Sequence, residues 1–451
     1  MPSITTRKLG YENAKLWRSS LYNSGNNDPV LYVFIGNHVP YANEASPDSI
    51  VDTISDEKSV WDNMYAAKRM TGNDVELVIP RIDWAANTNY RQYDDRIDYS
   101  TLLSANNTTG LEPMYIITSE RNVYLCVSNN SSANSTVEPS GDYTTSNGNI
   151  ATVDGYIWKY MYTLTAEERM RFLTPGYMPV KTLTLNDNSL QWNVQNDASP
   201  GAIHNIIVLN GGSNYTSNDI SVIITGDGFE ANAYAIRNVT TNSISSIVVD
   251  TKGTKYTYAS VSVYANNESS DAVARAIIAP PGGHGSDPLT ELGGSYLMLN
   301  PKFQGVEDGT LIAQNDYRQV AFIEDPYSYG TTSIIGNTIV SQTTNFTLNG
   351  TSAEYIEDEI VYQGDNLPNA IFTGIVAEWD SPNNVIKLTN VEGDPGNELL
   401  IGNTSGAGRF LSSVTNPDME PYTGKLLYID NISPIERAED QTETFQIVLK
   451  F

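Results

Sequence analysis

The chain has one cysteine and three histidines in 451 residues. A single thiol makes no internal disulfide, so no disulfide framework is expected, in keeping with assembly in a reducing cytoplasm. Cys126 sits in the apolar run V-Y-L-C-V and reads as a small buried side chain. His38, His204 and His284 have no second histidine or cysteine at ligand spacing, so neither a zinc site nor any other metal or cofactor site is expected. Basic residues are scarce too: 26 Lys and Arg against 53 Asp and Glu, a net charge of -27. So acidic a chain repels phosphate backbones, which argues against nucleic acid as a direct partner. No run approaches about eighteen apolar residues, so no membrane span is expected. The first ten residues, M-P-S-I-T-T-R-K-L-G, lack the apolar core of a signal peptide. Phenylalanine is sparse as well, 10 against 28 Tyr.

What is present is Tyr, Asn, Ser, Thr and Gly, a mixture that suits strands joined by turns better than long helices. The length allows several domains. Val30 to Ile35 is a continuous apolar run that predicts a strand buried on both faces. A helix is predicted over about Asp56 to Met70, with Ser55 as N-cap and Lys68 and Arg69 in its last turn. Val75 to Ile79 predicts a strand stopped by Pro80. Tyr156, Trp158, Tyr160 and Tyr162 alternate along another strand, and Thr165 with Glu168 forms a capping box for a second helix. At the C-terminus Phe445, Ile447, Leu449 and Phe451 alternate with polar or smaller residues and predict one half-buried strand running to the last residue.

Between 201 and 300 the sequence repeats itself. Ile203, Ile206, Gly212, Tyr215 and Thr216 recur as Ile244, Ile247, Gly253, Tyr256 and Thr257, and Ala231, Ala233 and Ala235 recur as Ala272, Ala274 and Ala276, always 41 positions on. Each copy reads strand, Gly-Tyr-Thr turn, strand, polar turn, alanine-rich strand; two copies imply paired or stacked β units, since one alone buries too little. Residues 346–417 carry short strands with Gly and Asn turns, as in a small barrel or sandwich. The fold class is therefore mainly β: a layered sandwich core with two short helices, built from 1–200, 301–345 and 418–451, with inserted β modules at 201–300 and 346–417.

Candidate chemistry is thin, and the chain does not read as an enzyme. His284 lies beside Ser286 and Asp287, but catalytic triads assemble from separate elements, and a turn explains P-P-G-G-H-G-S-D better. The acidic groups Asp94, Asp95, Asp98 and Glu357, Asp358, Glu359 match no calcium loop and read as solvated turns. Arg81 and Asp83 are placed to pair locally, and Trp84 reads as a core anchor or, if exposed, a partner hot spot.

Five segments occur in a characteristic order: Y-V-F-I-G-N (32–37), V-I-P-R-I-D-W (78–84), D-G-Y-I-W-K-Y (154–160), Y-R-Q-V-A-F-I-E-D-P (317–326) and the stretch from Gly424 through D-Q-T-E to Phe451. In this the chain resembles the dimeric β-sandwich baseplate wedge subunit of T-even-like contractile-tailed phages, over about 1–200, 300–345 and 420–451. The two modules have no counterpart in the T-even version. The resemblance implies a homodimer held among other wedge proteins, a virion location in the tail baseplate, and assembly in the host cytoplasm. It implies structural or interface roles for Pro80, Arg81, Asp83, Trp84, Gly155, Tyr156, Trp158, Arg318, Gln319, Asp440 and Gln441. A glycan-binding adhesin or tail-spike-like protein is the alternative, with the repeat segment as its binding module.

Overall fold

The computed structural model describes residues 6–22, 28–97, 113–141, 149–217, 219–266, 271–313 and 315–451. The chain is mainly β: of the described residues, 43% lie in strands and 13% in helices. It divides into two compact units, one comprising Met1–Leu16, Glu76–Met298 and Val448–Phe451, the other Trp17–Val75 and Leu299–Ile447. No helix among the described residues is long and apolar enough to cross a membrane.

The first unit contains two four-stranded sheets and the repeat segment. One sheet runs Ile447–Lys450, Tyr296–Leu299, Val75–Pro80, Tyr177–Pro179, and the other Tyr115–Ile117, Asn122–Asn129, Tyr156–Thr163, Asn149–Ala151. The alternating aromatics of Tyr156–Thr163 are all buried, but so are Lys159 and Met161 on the opposite face, so this strand is covered on both sides. Cys126 is buried on the neighbouring strand. The capping box forms as the sequence predicts, with Thr165 accepting from the Glu168 N–H at the start of helix Ala166–Phe172.

Each 41-residue copy supplies three strands: Ile203–Asn210, Ser221–Gly226 and Phe229–Asn238, then Ser243–Thr254, Ala259–Tyr264 and Val273–Ile278. The copies do not sit side by side; they exchange strands. The first strands of the two copies meet at Ile206 and Ile247, and the second strands at Val222 and Val263, so equivalent residues face each other. The alanine strand of each copy pairs with the first strand of the other: Ala235 with Ile247, and Ala276 with Ile206. A local two-fold axis therefore relates the copies, with their aliphatic side chains and Tyr215 and Tyr256 in one shared core. The alanines belong to this core too. Gly212, just past Ile203–Asn210, and Gly253, near the end of Ser243–Thr254, hold equivalent φ values of 61° and 62°, a left-handed conformation costly for other residues.

In the second unit a five-stranded sheet runs Ile339–Ser341, Met64–Arg69, Leu31–Gly36, Asp316–Glu324, Lys425–Glu436. Leu31–Gly36 is buried throughout, as its apolar run predicts. The helix predicted over 56–70 is corrected. It spans Ile54–Asn63, is capped by Thr53 rather than Ser55, and gives way at Met64 to a strand carrying Lys68 and Arg69. Met64, Tyr65, Ala66 and Ala67 are buried between Leu31–Gly36 and Ile339–Ser341, and this burial outweighs the helical propensity of M-Y-A-A-K-R. Strands Thr344–Asn349, Val385–Gly393, Phe372–Asp380, Ile360–Gln363, Leu399–Gly402 and Gly408–Thr415 close into a six-stranded barrel around Phe346, Phe372, Ile386, Leu388 and Leu400.

Two more expectations change. Five α-helices are present among the described residues, where two were expected; the longest of them, Arg7–Tyr22, buries Tyr11 and Ala14. The C-terminal strand is interrupted. Thr442–Thr444 pairs with Lys302–Gln304, Phe445 turns its ring onto Phe303 and Tyr317, and Ile447–Lys450 joins a different sheet. Phe451 is 37% exposed, so the alternation is not that of one continuous buried face.

Candidate functional site

In the first unit the structure brings the V-I-P-R-I-D-W and D-G-Y-I-W-K-Y positions together. Pro80 ends its strand with its carbonyl accepting from the Tyr115 hydroxyl at 2.9 Å. Arg81 pairs with Asp83 at 2.8 Å and donates to the Thr174 carbonyl at 3.1 Å. Trp84 is half-buried at the edge of the cluster formed by Tyr90, Tyr124, Tyr156 and Trp158, between the two readings of its role. Its indole N–H donates to Ser135 Oγ at 3.2 Å, and Ser135 Oγ donates to Asp154 at 3.1 Å.

Asp154 organises the turn that presents Gly155, Tyr156 and Trp158. Its carboxylate accepts from the Thr136 N–H at 2.7 Å, the Val137 N–H at 3.0 Å, and the Thr152 hydroxyl. Burial works to raise this carboxyl, but these hydrogen bonds outweigh it and hold the group below the ordinary aspartate value. Gly155 has φ 85°, and a Cβ there would meet the Asn130 side chain at 2.6 Å. Tyr156 stacks on Trp158 with ring centroids 5.4 Å apart.

In the second unit Arg318 is buried and clamps a loop: Nε donates to Glu44 at 3.0 Å, Nη2 to Asp316 at 2.9 Å, and Nη1 to the His38 carbonyl. His38 itself bonds Asp358 at 2.6 Å and Thr389 at 2.7 Å. Gln319 donates to Asn431 at 2.8 Å, across the pair of strands Asp316–Glu324 and Lys425–Glu436. Asp440 is exposed, whereas Gln441 donates to Glu443 at 3.0 Å and its carbonyl accepts from the Gly305 N–H.

Sequence reasoning missed the centre of this second constellation. Arg437 is fully buried, donates twice from Nε to Glu443 at 2.9 and 2.8 Å, and reaches the Gly305 carbonyl at 2.8 Å. Its run, I-E-R-A-E-D-Q-T-E, looks solvated. The signal available was the apolar stretch just before it, which places the run close to a sheet.

The remaining candidates resolve differently. His284 bonds Glu291, while Ser286 donates to the Gly283 carbonyl and Asp287 caps helix Pro288–Leu292, so the Ser-His-Asp arrangement does not assemble. Asp95 is an exposed turn residue as read, but it and the half-buried Asp94 both pair with Arg275; Asp98 lies outside the described residues. Glu359 is buried and accepts from the Thr404 and Ser405 N–H groups at 3.0 and 2.9 Å, not a solvated position. Among the described residues no group of three or more His, Cys, Asp or Glu is placed to hold a metal ion. Chemically, both motif constellations fix loops and strand registers through hydrogen bonds, most of them partly buried. No family model matches the chain, and no curated protein matches it.

Proposed function

We propose that the chain is a structural subunit of a phage tail baseplate wedge, working as a homodimer through protein–protein interfaces during assembly and contraction. One observation carries the reading. Three of the five ordered segments, 32–37, 317–326 and the stretch from Gly424, are separated by about 280 and about 100 residues, yet form the adjacent strands Leu31–Gly36, Asp316–Glu324 and Lys425–Glu436 of one sheet. Segments that carry the resemblance and pack as neighbours form one structural nucleus. The other two segments share one aromatic cluster.

The mechanism is geometric. Closed and strand-exchanged β modules resist deformation, and their polar outer surfaces and loops supply contact area for other wedge proteins. In this reading the protein resides in the virion, at the tail baseplate, after assembly in the host cytoplasm. The test is quantitative mass spectrometry of purified intact particles from the source of this sequence, calibrated against the sheath protein. A low, fixed copy number set by the rotational symmetry of the tail is expected. Absence of the chain from the particle overturns the reading.

A further inference from the structure

The two-fold axis of the repeat segment emerges at the floor of a cleft of about 780 Å³ in the first unit. The floor is symmetric: residues 204–208 of one copy and 245–249 of the other line it. Ile206 and Ile247 turn into the shared core, so by strand alternation Asn205, Ile207, Ser246 and Val248 face the cleft. The walls have no such symmetry. They come from Arg91, Gln92 and the loop at 128–132.

We infer that this cleft binds a carbohydrate bearing a carboxylate group. Its volume falls within the range of small-ligand sites. The wall is pre-shaped: Asn130, Ser131 and Ser132 hold successive φ values of 49°, 57° and 65°, a left-handed run. Asn89 Nδ2 donates to the Ser132 carbonyl at 2.6 Å, and Asn130 Nδ2 to the Asp154 carbonyl at 3.0 Å. Gly155, without a side chain, makes room for Asn130. A wall ordered before binding lowers the entropic cost of recognition.

The polar groups left over suit hydroxyls. Gln92 Oε1 accepts from Asn205, and Asn130 Nδ2 is spent on Asp154, which leaves the Gln92 amide nitrogen and the Asn130 amide oxygen without a partner among the described residues. Tyr234 is the register partner of Val248 and is 52% exposed, so an aromatic side chain stands on the same face of the sheet as the floor. Charge selects the acid. Asp94 and Asp95 share the single positive charge of Arg275, and the Arg91 guanidinium, without a partner among the described residues, is the cation that the wall offers a carboxylate. Recognition by strand addition has no place to act here, since Ile203–Asn210 and Ser243–Thr254 are each flanked on both sides within their sheet. The inference does not depend on where in a particle, if anywhere, the protein resides.

The experiment uses the full chain on an array of carboxylated and neutral oligosaccharides, followed by calorimetry on each hit and on its methyl ester. Carboxylated members are expected to bind, and esterification to weaken them about tenfold or more. Arg91→Ala is expected to erase the difference between acid and ester, with Arg91→Lys intermediate. Ser246→Trp, at an unchanged melting temperature, is expected to abolish binding of both. Silence across every carboxylated member up to about 1 mM overturns the inference. So does equal binding of acid and ester, persistence of binding in Ser246→Trp, or occupation of the cleft by a peptide instead.

Discussion

The Ala272 N–H donates to the Tyr215 hydroxyl at 2.8 Å, and 41 residues earlier the Ala231 N–H donates to the Tyr256 hydroxyl at 3.4 Å. Each tyrosine thus receives a backbone hydrogen bond from the alanine strand of the other copy. The two contacts are the same contact seen from opposite sides of the local axis, made well once and loosely once. Tyr215→Phe leaves a buried N–H unpaired and is expected to cost about 1–3 kcal/mol. Tyr256→Phe should cost measurably less. Urea titration of the two variants checks the ranking, and the reverse order would sink it.

Arg437 and Glu443 form a buried pair whose halves depend on each other. Arg437→Ala strands the Glu443 carboxylate and is expected to destabilise the protein by about 3–5 kcal/mol. Replacing both, Arg437→Met with Glu443→Leu, should recover most of that loss. Thermal melts of the single and double variants decide the matter; a double variant no better than Arg437→Ala refutes the account.

Lys159 predicts a pH dependence. Burial pushes its ammonium down to about 8, against attraction from Glu291 and Asp197. The unfolded chain therefore holds more protons than the folded one between about pH 8 and the ordinary lysine value near 10.5, so stability rises with pH across that window. In Lys159→Met this rise should flatten, as read from denaturation midpoints at stepped pH. An unchanged slope contradicts the assignment.

His204 gives the acid counterpart. Burial, with the neighbouring His284, Lys252 and Lys159, holds its imidazole well below the ordinary value of 6.5. The folded protein refuses a proton that the unfolded chain accepts, so stability falls as pH drops below about 6.5. His204→Gln should soften that fall. A variant that melts in parallel with the parent at every pH shows that another group is responsible.

Phe445 and Phe451 were indistinguishable by alternation, but the structure separates them. Phe445→Ala removes a ring packed on Phe303 and Tyr317 and is expected to cost roughly 1.5–3 kcal/mol. Phe451→Ala, at an exposed site, should stay within about 0.5 kcal/mol. Equal melting temperatures for the two variants would falsify the interrupted-strand arrangement.

What could be read from sequence follows a physical divide. The repeat was legible because a two-fold arrangement demands the same residue type at both equivalent positions. Its strand exchange was not, since two side-by-side copies and two interlocked copies require the same residues. The switch from helix to strand at Met64 was hidden because the deciding neighbours, Val340 and Phe34, lie far away in the chain. Distance also hid the pairing of Arg275 with Asp94 and Asp95, which left those acids looking solvated. Local signals, such as the Thr165 cap and the buried Leu31–Gly36 run, needed no distant partner and read correctly.

Ile203 and Ile278, the first and last strand residues of the repeat segment, are register partners on adjacent antiparallel strands. The chain goes in and comes out through one doorway a strand's width across. Joining the two sides directly would ask the rest of the unit to close only a short gap, and closing a short loop is entropically cheap. The segment therefore adds six strands between one entry and one exit point without interrupting a strand of either four-stranded sheet.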